Sequence, residues 1–202
     1  MKKIALIALL VWAQHVFSDS AGDVLQAKLN AIRTMSATFK QVVKAKKREI
    51  SRSSGTMALA RPGRFRWHTK SPMEQVVVAD GTRLWVYDVD LEQVSVKKQD
   101  KGVGGTAALF LSGYDDTVAR DFDVTKSTRG KKDYFDLRSK SSKANFQRVK
   151  LIFLSDALQG MELFDQLGQR TEVKLNNVKT NPKLASGLFK FKTPKGVDVV
   201  EQ

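Results

Sequence analysis

The sequence contains no cysteine, and histidine is almost as scarce, with two among 202 residues. Without thiols, no disulfide can stabilise the fold and no cysteine can act as a nucleophile, so stability has to come from an ordinary hydrophobic core. His15 lies in a segment that we expect to be removed, which leaves His68 as the one histidine of the mature chain. A metal site built from several histidines is therefore excluded.

Long hydrophobic runs are also missing. Lys2-Lys3 precede a short apolar run that ends at Trp12, and small residues follow near Ser18. A bilayer needs about 20 apolar residues, so this layout is typical of a secretory signal peptide, and an N-terminal anchor is the less favoured alternative. We expect cleavage of residues 1–18 and a single exported domain over residues 19–202. Because no cysteine near the cleavage site can carry a lipid, the mature protein should be soluble.

Acidic residues are outnumbered, since 35 Lys and Arg stand against 21 Asp and Glu and give a formal net charge of +14. Loss of Lys2 and Lys3 would lower it to +12 (14 − 2), because no acid precedes Asp19. Such a charge suits nucleic acid, acidic partners or an anionic membrane surface. Export disfavours nucleic acid. Lys and Arg fill alternate, outward positions of many predicted strands, so we favour a solvated basic face.

Apolar spacing predicts one helix followed by many strands. Leu25, Leu29 and Ile32 recur at spacings of four and three, which indicates one face of a helix over 23–33. Residues 36–43 fit either a helix or a strand, and their β-branched and aromatic side chains favour a strand. Beyond them, short alternating runs separated by turn signals predict an antiparallel sheet or barrel without a domain boundary.

Two local signals refine this strand pattern. Asp80-Gly81 separates two apolar runs and predicts a tight hairpin turn. The alternating pair Phe189 and Phe191 extends the pattern and predicts a last strand there.

The segment between Lys98 and Tyr114 differs from the rest of the chain. Gly102, Gly104 and Gly105 precede a short apolar run, Ala107-Ala108-Leu109-Phe110-Leu111. A short apolar helix in a glycine-rich context suits a mobile lid, and an ordinary buried helical turn is equally compatible.

The few residues that could support catalysis do not form a recognisable site. His68 lies beside Arg66 without a nucleophile motif, and Asp88 and Asp90 occupy a predicted turn between strands. The three glycines after Gln99 lack the lysine of a phosphate-binding loop. We therefore expect no enzyme activity, no metal and no cofactor.

Aromatic and apolar side chains are more abundant than one helix can cover. Core packing is the default role of such residues, and an apolar cavity under covering helices is the alternative that would use the surplus. Arg61 precedes Pro62 at the end of an apolar strand, where its guanidinium could donate to backbone carbonyls of those helices. A solvated loop arginine is the simpler interpretation.

Distinctive motifs follow one another along nearly all of the mature chain. They are Ala37-Thr38-Phe39-Lys40-Gln41, Gly55, Arg61-Pro62-Gly63-Arg64-Phe65-Arg66-Trp67, Ala79-Asp80-Gly81, Leu84-Trp85-Val86-Tyr87-Asp88, Leu91-Glu92-Gln93-Val94, Asp165, Gly168-Gln169-Arg170-Thr171, Phe189-Lys190-Phe191 and Pro194-Lys195-Gly196-Val197-Asp198-Val199. As a set, they resemble the LolA family of periplasmic outer-membrane lipoprotein carriers of Gram-negative bacteria.

The resemblance implies a mainly β fold with covering helices, in which an incomplete, curved antiparallel β-barrel has an α-helical lid over an apolar cavity. It also implies a periplasmic, monomeric chaperone whose cargo is acylated lipoproteins. An inner-membrane ABC-type release complex would supply the cargo, and an outer-membrane acceptor would receive it. A periplasmic half-barrel that senses lipids or lipoproteins without transporting them is the alternative.

The resemblance also suggests roles for single residues. Arg61 would latch the lid and Phe65 would line the cavity, whereas Ala107 stands where the family commonly has a proline, which affects the expected lid geometry. The residues that we expect to line the acyl-chain cavity are Phe39, Met57, Leu59, Phe65, Trp67, Val78, Leu84, Val86, Leu109 and Leu111.

Overall fold

The computed structural model describes residues 20–99, 111–113 and 117–201, most of which belong to one twelve-stranded sheet. The strands are β1 (Thr34–Ala45), β2 (Arg48–Ala60), β3 (Arg64–Ser71), β4 (Gln75–Asp80), β5 (Arg83–Asp88), β6 (Gln93–Lys98), β7 (Phe122–Arg129), β8 (Lys132–Ser139), β9 (Phe146–Leu154), β10 (Ala157–Asp165), β11 (Arg170–Thr180) and β12 (Asp198–Glu201). The helical elements are α1 (Ala21–Ala31), α2 (Thr117–Asp121), a 3₁₀ helix (Ser186–Phe189) and residues 111–112. The predicted mainly β fold with helices is confirmed.

The strands follow the spatial order β12-β6-β5-β4-β3-β2-β1-β11-β10-β9-β8-β7. Neighbouring strands are antiparallel, except that β12 runs parallel to β6. In the part of the chain that the structure describes, β12 and β7 lie at opposite ends of this order and do not pair with each other. The curved sheet therefore stays open, which confirms the expected incomplete barrel.

Alternation along the strands separates two faces of the sheet. On β1, the side chains of Met35, Ala37 and Phe39 are buried, whereas the residues between them are only half-buried. Most buried positions of the strands join one apolar core, and we call the face that bears this core the inner face and the opposite one the outer face. On the other strands, the buried core residues of the inner face are Met57, Leu59, Phe65, Trp67, Val77, Ala79, Leu84, Phe122, Phe135, Leu137, Val149, Leu151, Phe153, Leu158, Met161, Leu163, Val173 and Leu175.

Helix α1 covers part of the inner face. Ser20 caps it in a reciprocal arrangement, because its hydroxyl accepts from the backbone N–H of Asp23 while the Asp23 carboxylate accepts from the backbone N–H of Ser20. Leu25 and Leu29, four residues apart, are buried in the core. Lys28 donates to the carbonyl oxygen of Ser155 at 2.9 Å and to the carboxylate of Asp156 at 2.8 Å, in the β9–β10 turn. The predicted helix is confirmed.

The chain beyond β11 crosses the outer face of the sheet. Phe189 packs with Ala58 and Ala60 in a second apolar cluster, and Phe191 lies against the rings of Trp85 and Tyr87. The predicted strand at Phe189 and Phe191 is therefore wrong. The two rings alternate because they pack onto the sheet from outside, and the strand of this region comes later, as β12.

Candidate functional site

Strands β1 to β5 bring most of the predicted cavity residues together on the inner face. In the strand register, Met57 lies opposite Trp67 and Leu59 opposite Phe65, so these side chains point the same way. Trp67 stacks on Phe39 with ring centroids 4.0 Å apart and planes inclined by 29°. Leu84 is buried in the same core, and Val86 packs against it. Strand pairing thus assembles an apolar wall from residues far apart in sequence.

Gly55 makes room for the aromatic part of this wall. It pairs with Phe39 on β1, and an added Cβ would lie 1.9 Å from the carbonyl oxygen of His68 and 3.0 Å from the Phe39 ring. Only glycine fits such a close approach of backbone and ring. The sequence motif includes Gly55, but the steric reason for it requires the strand register.

Two of the residues predicted to line the cavity are not part of the apolar wall that the structure describes. Val78 is fully buried but lies opposite Arg66 on β3 and Trp85 on β5, so it belongs to the outer face. Its assignment to the cavity is wrong, because its neighbours Val77 and Ala79 occupy the inner face and side chains alternate along a strand. Leu109 lies outside the described residues.

Residues 111–113, which we call the covering segment, close the inner face near the β2–β3 turn. The side chain of Leu111 is 2% exposed and belongs to the core. Phe65 and Leu59, which belong to the same core, are 0% and 1% exposed. The apolar wall is therefore shielded from solvent in this conformation, and any ligand that uses it has to displace part of its cover.

The β2–β3 turn holds the covering segment by its backbone carbonyls. The guanidinium of Arg61 donates to the carbonyl oxygens of Leu111 at 2.8 Å and Gly113 at 3.5 Å. The backbone N–H of Gly63 donates to the carbonyl oxygen of Ser112 at 2.7 Å. The hydrogen bonds expected between Arg61 and a covering helix are present, and with the Gly63 bond they use three consecutive carbonyl groups.

Gln99 is a residue of this region that the sequence analysis missed. Its side chain is buried, where it donates to the carbonyl oxygen of Gly63 at 2.7 Å and accepts from the backbone N–H of Gly81 at 3.0 Å. Its own backbone N–H donates to the carbonyl oxygen of Thr82 at 2.8 Å. Gln99 therefore fixes the β2–β3 turn relative to the β4–β5 turn. No sequence pattern marks it, because a single glutamine after a strand has no periodicity.

The polar residues that could have supported catalysis serve ordinary structural purposes. The imidazole of His68 lies 2.6 Å from an exposed carboxylate oxygen of Glu74, and Asp88 accepts from the Gln75 amide at 2.6 Å. Among the described residues, no group of three or more His, Cys, Asp or Glu side chains is placed to hold a metal ion. Asp80 accepts from the backbone N–H groups of Thr82 and Arg83, which confirms the hairpin predicted there.

Several charged side chains form ion pairs on the face of the sheet that lies away from the apolar wall. On the outer face, the Arg148 guanidinium hydrogen-bonds the carboxylate of Asp136 and lowers its pKa. Glu162 and Glu172 lie 3.0 Å and 3.1 Å from the guanidinium of Arg170. The wall itself offers burial for an apolar ligand and no titratable group for a reaction. None of the helices in the described ranges combines the length and the apolar character that a membrane-spanning helix requires.

Comparison with known proteins shows which family the sequence is similar to. Residues 30–192 match the family model described as "Outer membrane lipoprotein carrier protein LolA". An outer-membrane lipoprotein carrier protein of Legionella pneumophila (strain Corby) is 64% identical over 202 residues and covers 100% of both chains. Its counterpart in Pseudomonas entomophila (strain L48) is 34% identical over 207 aligned residues, again covering 100% of both.

A solved structure shows the same fold at low sequence identity. An uncharacterized conserved protein of Thermus thermophilus superimposes with a TM-score of 0.56 and 15% identity, covering 89% of this chain and 96% of that one. The open curved sheet is thus shared beyond the range of sequence similarity. Given the family match and the full-length relatives, the chain belongs to the LolA family of outer membrane lipoprotein carrier proteins.

Proposed function

We propose that the inner face of β1 to β5 binds the acyl chains of lipoproteins and that the covering segment opens to admit them. The observation that carries this proposal is the contact between Arg61 and the carbonyl groups of Leu111 and Gly113, on a segment whose Leu111 side chain closes the apolar core. A cover held by such hydrogen bonds can open without the breaking of any covalent bond. The acyl-chain site comprises Phe39, Met57, Leu59, Phe65, Trp67, Leu84, Val86 and Leu111.

The energies of acyl-chain burial and of the hydrogen bonds that hold the covering segment are compatible with reversible binding of lipoproteins. Burial of an acyl chain contributes about 0.8 kcal/mol per methylene, so two or three long chains represent on the order of 20–35 kcal/mol of unfavourable exposure to water. The three hydrogen bonds from Arg61 and Gly63 contribute about 1 kcal/mol each, or about 3 kcal/mol together. Acyl chains can therefore displace the covering segment, while its tendency to close again favours their release.

The proposal also includes the export of the protein and the supply and delivery of its cargo. Residues 1–18 act as a cleaved signal peptide, and residues 19–202 work as a single monomeric domain in the periplasm. The carrier receives acylated lipoproteins from the inner-membrane ABC-type release complex and delivers them to an outer-membrane acceptor. Its own fold supplies shielding, whereas the energy for extraction comes from the release complex.

The experiment that tests the latch compares Arg61→Leu with Arg138→Leu, a control at an exposed arginine on β8, far from the β2–β3 turn. Loss of the Arg61 bonds destabilises the closed, empty form relative to the loaded one. We expect Arg61→Leu to accept lipoproteins but to transfer them to the acceptor at least tenfold more slowly, whereas Arg138→Leu transfers normally. The measurement is transfer of purified, loaded carrier to acceptor-containing membranes. Transfer by Arg61→Leu at the wild-type rate would refute the latch.

Depletion of the protein in cells separates carriage from sensing. A carrier is needed for delivery, so its loss should leave outer-membrane lipoproteins at the inner membrane in fractionated cells. A sensor would change signalling and leave lipoprotein location unaltered. That second result would contradict the proposed function as a whole.

A further inference from the structure

The inner face changes from apolar to polar along its strands. On β1, the buried ring of Phe39 is followed at the next inner position by the half-buried side chain of Gln41. On β3, Trp67 is followed in the same way by Thr69. Strands β1 to β5 each have such a polar residue at the end that lies away from the β2–β3 turn. We call these five residues the polar shelf; they are Gln41, Ser53, Thr69, Gln75 and Asp88.

A cavity of about 400 Å³ lies over the polar shelf, and all five shelf residues line it. Pro72 and Met73 of the β3–β4 turn border it as well. Within the described ranges, the side chains of Gln41, Ser53 and Thr69 form no hydrogen bond with another residue. Three polar groups directly beside the apolar wall are therefore free to bind a ligand.

Strand β2 has an unpaired side along this cavity. It pairs with β1 over its whole length, from Arg48 to Ala60, whereas the described part of β3 pairs with it only from Ser54 onwards. Arg48–Ser53 therefore have a strand neighbour on one side only, and we call them the open strand segment. Ser51, Arg52 and Ser53 of this segment line the cavity. The backbone groups on an unpaired side of a strand can pair with an added, extended peptide.

The direction of the strands suits a peptide that leaves the acyl-chain site. In a lipoprotein whose N-terminal residue carries the acyl chains, the peptide runs outward from the apolar wall, from its N-terminus to its C-terminus. Strand β3 runs in that same direction and ends at Ser71, and β2 runs in the opposite one. A peptide beside the open strand segment would thus be antiparallel to β2, which is the more stable pairing, and would occupy the place of a longer β3.

The charges around the cavity favour a peptide over a phospholipid. Glu74, Asp88 and Asp90 line it together with a single cation, Arg52. The guanidinium of Arg52 already donates to the carboxylate of Glu49 at 2.8 Å and 2.9 Å. An anionic phosphate headgroup would face three carboxylates of like charge, whereas a peptide backbone is neutral and only needs hydrogen bonds.

We propose that the polar shelf and the open strand segment bind the peptide that directly follows the acylated residue of the cargo, as an added antiparallel strand. This inference rests on the proposed function. The acyl chains lie on the apolar wall beneath the covering segment, and the peptide leaves at the opposite end of the same strands. Because main-chain hydrogen bonds hold an added strand, cargo peptides of many different sequences can use the site.

The test follows amide hydrogen exchange of the full mature chain with a palmitoylated hexapeptide, whose length matches the open strand segment. Successive residues of a strand direct their N–H groups to opposite sides, so two analogues are compared, methylated on the odd or on the even backbone nitrogens. We expect the unmodified peptide to slow exchange across residues 48–53 at least fivefold. One analogue should bind at least tenfold more weakly, while the other stays within threefold.

A matched pair of variants tests the polar shelf. Thr69 on the shelf and Thr56 on the outer face are both half-buried, so Thr69→Val and Thr56→Val remove the same hydroxyl group from opposite faces. We expect Thr69→Val to bind the palmitoylated hexapeptide at least threefold more weakly and Thr56→Val to bind it as the wild type does. Hexadecanol, which has no peptide, should bind all three proteins equally.

The possible outcomes separate this inference from the proposed function. If neither hexadecanol nor the palmitoylated hexapeptide binds the wild type, the proposed function fails and the added strand with it. If the hexapeptide binds while residues 48–53 exchange as in the free protein, or if both methylated analogues bind with equal affinity, the added strand is overturned and acyl-chain binding stands. Equal protection of these residues by phosphatidylglycerol would overturn it too, because the site would then accept lipids without a peptide.

Discussion

The two segments that cover the inner face are held in different ways. Helix α1 buries Leu25 and Leu29 in the core, and its Lys28 is bonded to the β9–β10 turn. The covering segment inserts Leu111 into the core, and Arg61 and Gly63 donate hydrogen bonds to its carbonyl groups. Each buried leucine contributes about 1.5–3 kcal/mol, so α1 is held mainly by apolar burial.

In the proposed function, this difference distinguishes a permanent cover, α1, from a releasable one, the covering segment. Apolar burial is lost only when the helix leaves the sheet, whereas hydrogen bonds to a few carbonyl groups can be exchanged for bonds to water. A carrier needs both properties, because its fold has to persist while its binding site opens. In the proposed function, α1 stays in place while the β2–β3 turn controls the opening of the covering segment.

The largest effect should come from damage to the permanent cover. Leu29→Ala removes a buried side chain from α1 and leaves a cavity, which should lower the free energy of unfolding by about 3 kcal/mol. Leu91→Ala is the matched control, since Leu91 is 72% exposed and its loss should cost less than about 0.5 kcal/mol. Urea denaturation measures both. Equal losses would remove the basis for calling α1 the permanent cover.

A smaller loss of stability should follow from Gly55→Ala in the wall beneath the releasable cover. The new methyl group would meet the carbonyl oxygen of His68, so β2 and β3 have to shift apart, at about 2 kcal/mol. Gly187→Ala has open space around its added Cβ and should be nearly neutral. We also expect weaker binding of a fluorescent palmitoylated peptide to Gly55→Ala, since the Phe39–Trp67 stack is displaced. Unaltered stability would show that the strands relax more freely than their register suggests.

The smallest effect concerns a charge pair far from both covers. The hydrogen bond from Arg148 lowers the pKa of Asp136 below its usual 3.8, so this carboxylate stabilises the fold above that pH and its contribution is lost as the pH falls through the lower, folded value. Asp136→Asn should cost less than about 1 kcal/mol at pH 7, because the pair is partly exposed. The difference from wild type should close below pH 3.8 in urea titrations at several pH values. A difference that persists at the acid end of that series, about two pH units below the usual pKa, would assign the effect to packing.

Much of the fold could be predicted because strand alternation and hairpin signals act locally. Residues 36–43 do form part of a strand, and Asp80-Gly81 does turn the chain between β4 and β5. The motifs led to the family that the full-length relatives confirm, and with it to a carrier that is not an enzyme.

The errors arise where distant parts of the chain meet. The run from Val76 to Ala79 is buried on both faces, so hydrophobicity could not assign Val78 to one of them. The segment around Phe189 covers the outer face at β4. The alternation of Phe189 and Phe191 in that segment had itself predicted a strand. Gln99 was missed for the same reason, since its partners lie 18 and 36 positions away in the sequence.

The central claim is that acyl chains bind on the inner face, and two tryptophans allow a direct test. Trp67 lies on the inner face and Trp85 on the outer face, so each can be replaced by photoreactive p-benzoylphenylalanine in cells. On irradiation, we expect position 67 to crosslink to the acyl chains of lipoproteins and position 85 to give no such product. Equal crosslinking at both positions, or crosslinking at position 85 alone, would contradict the inner face as the binding site.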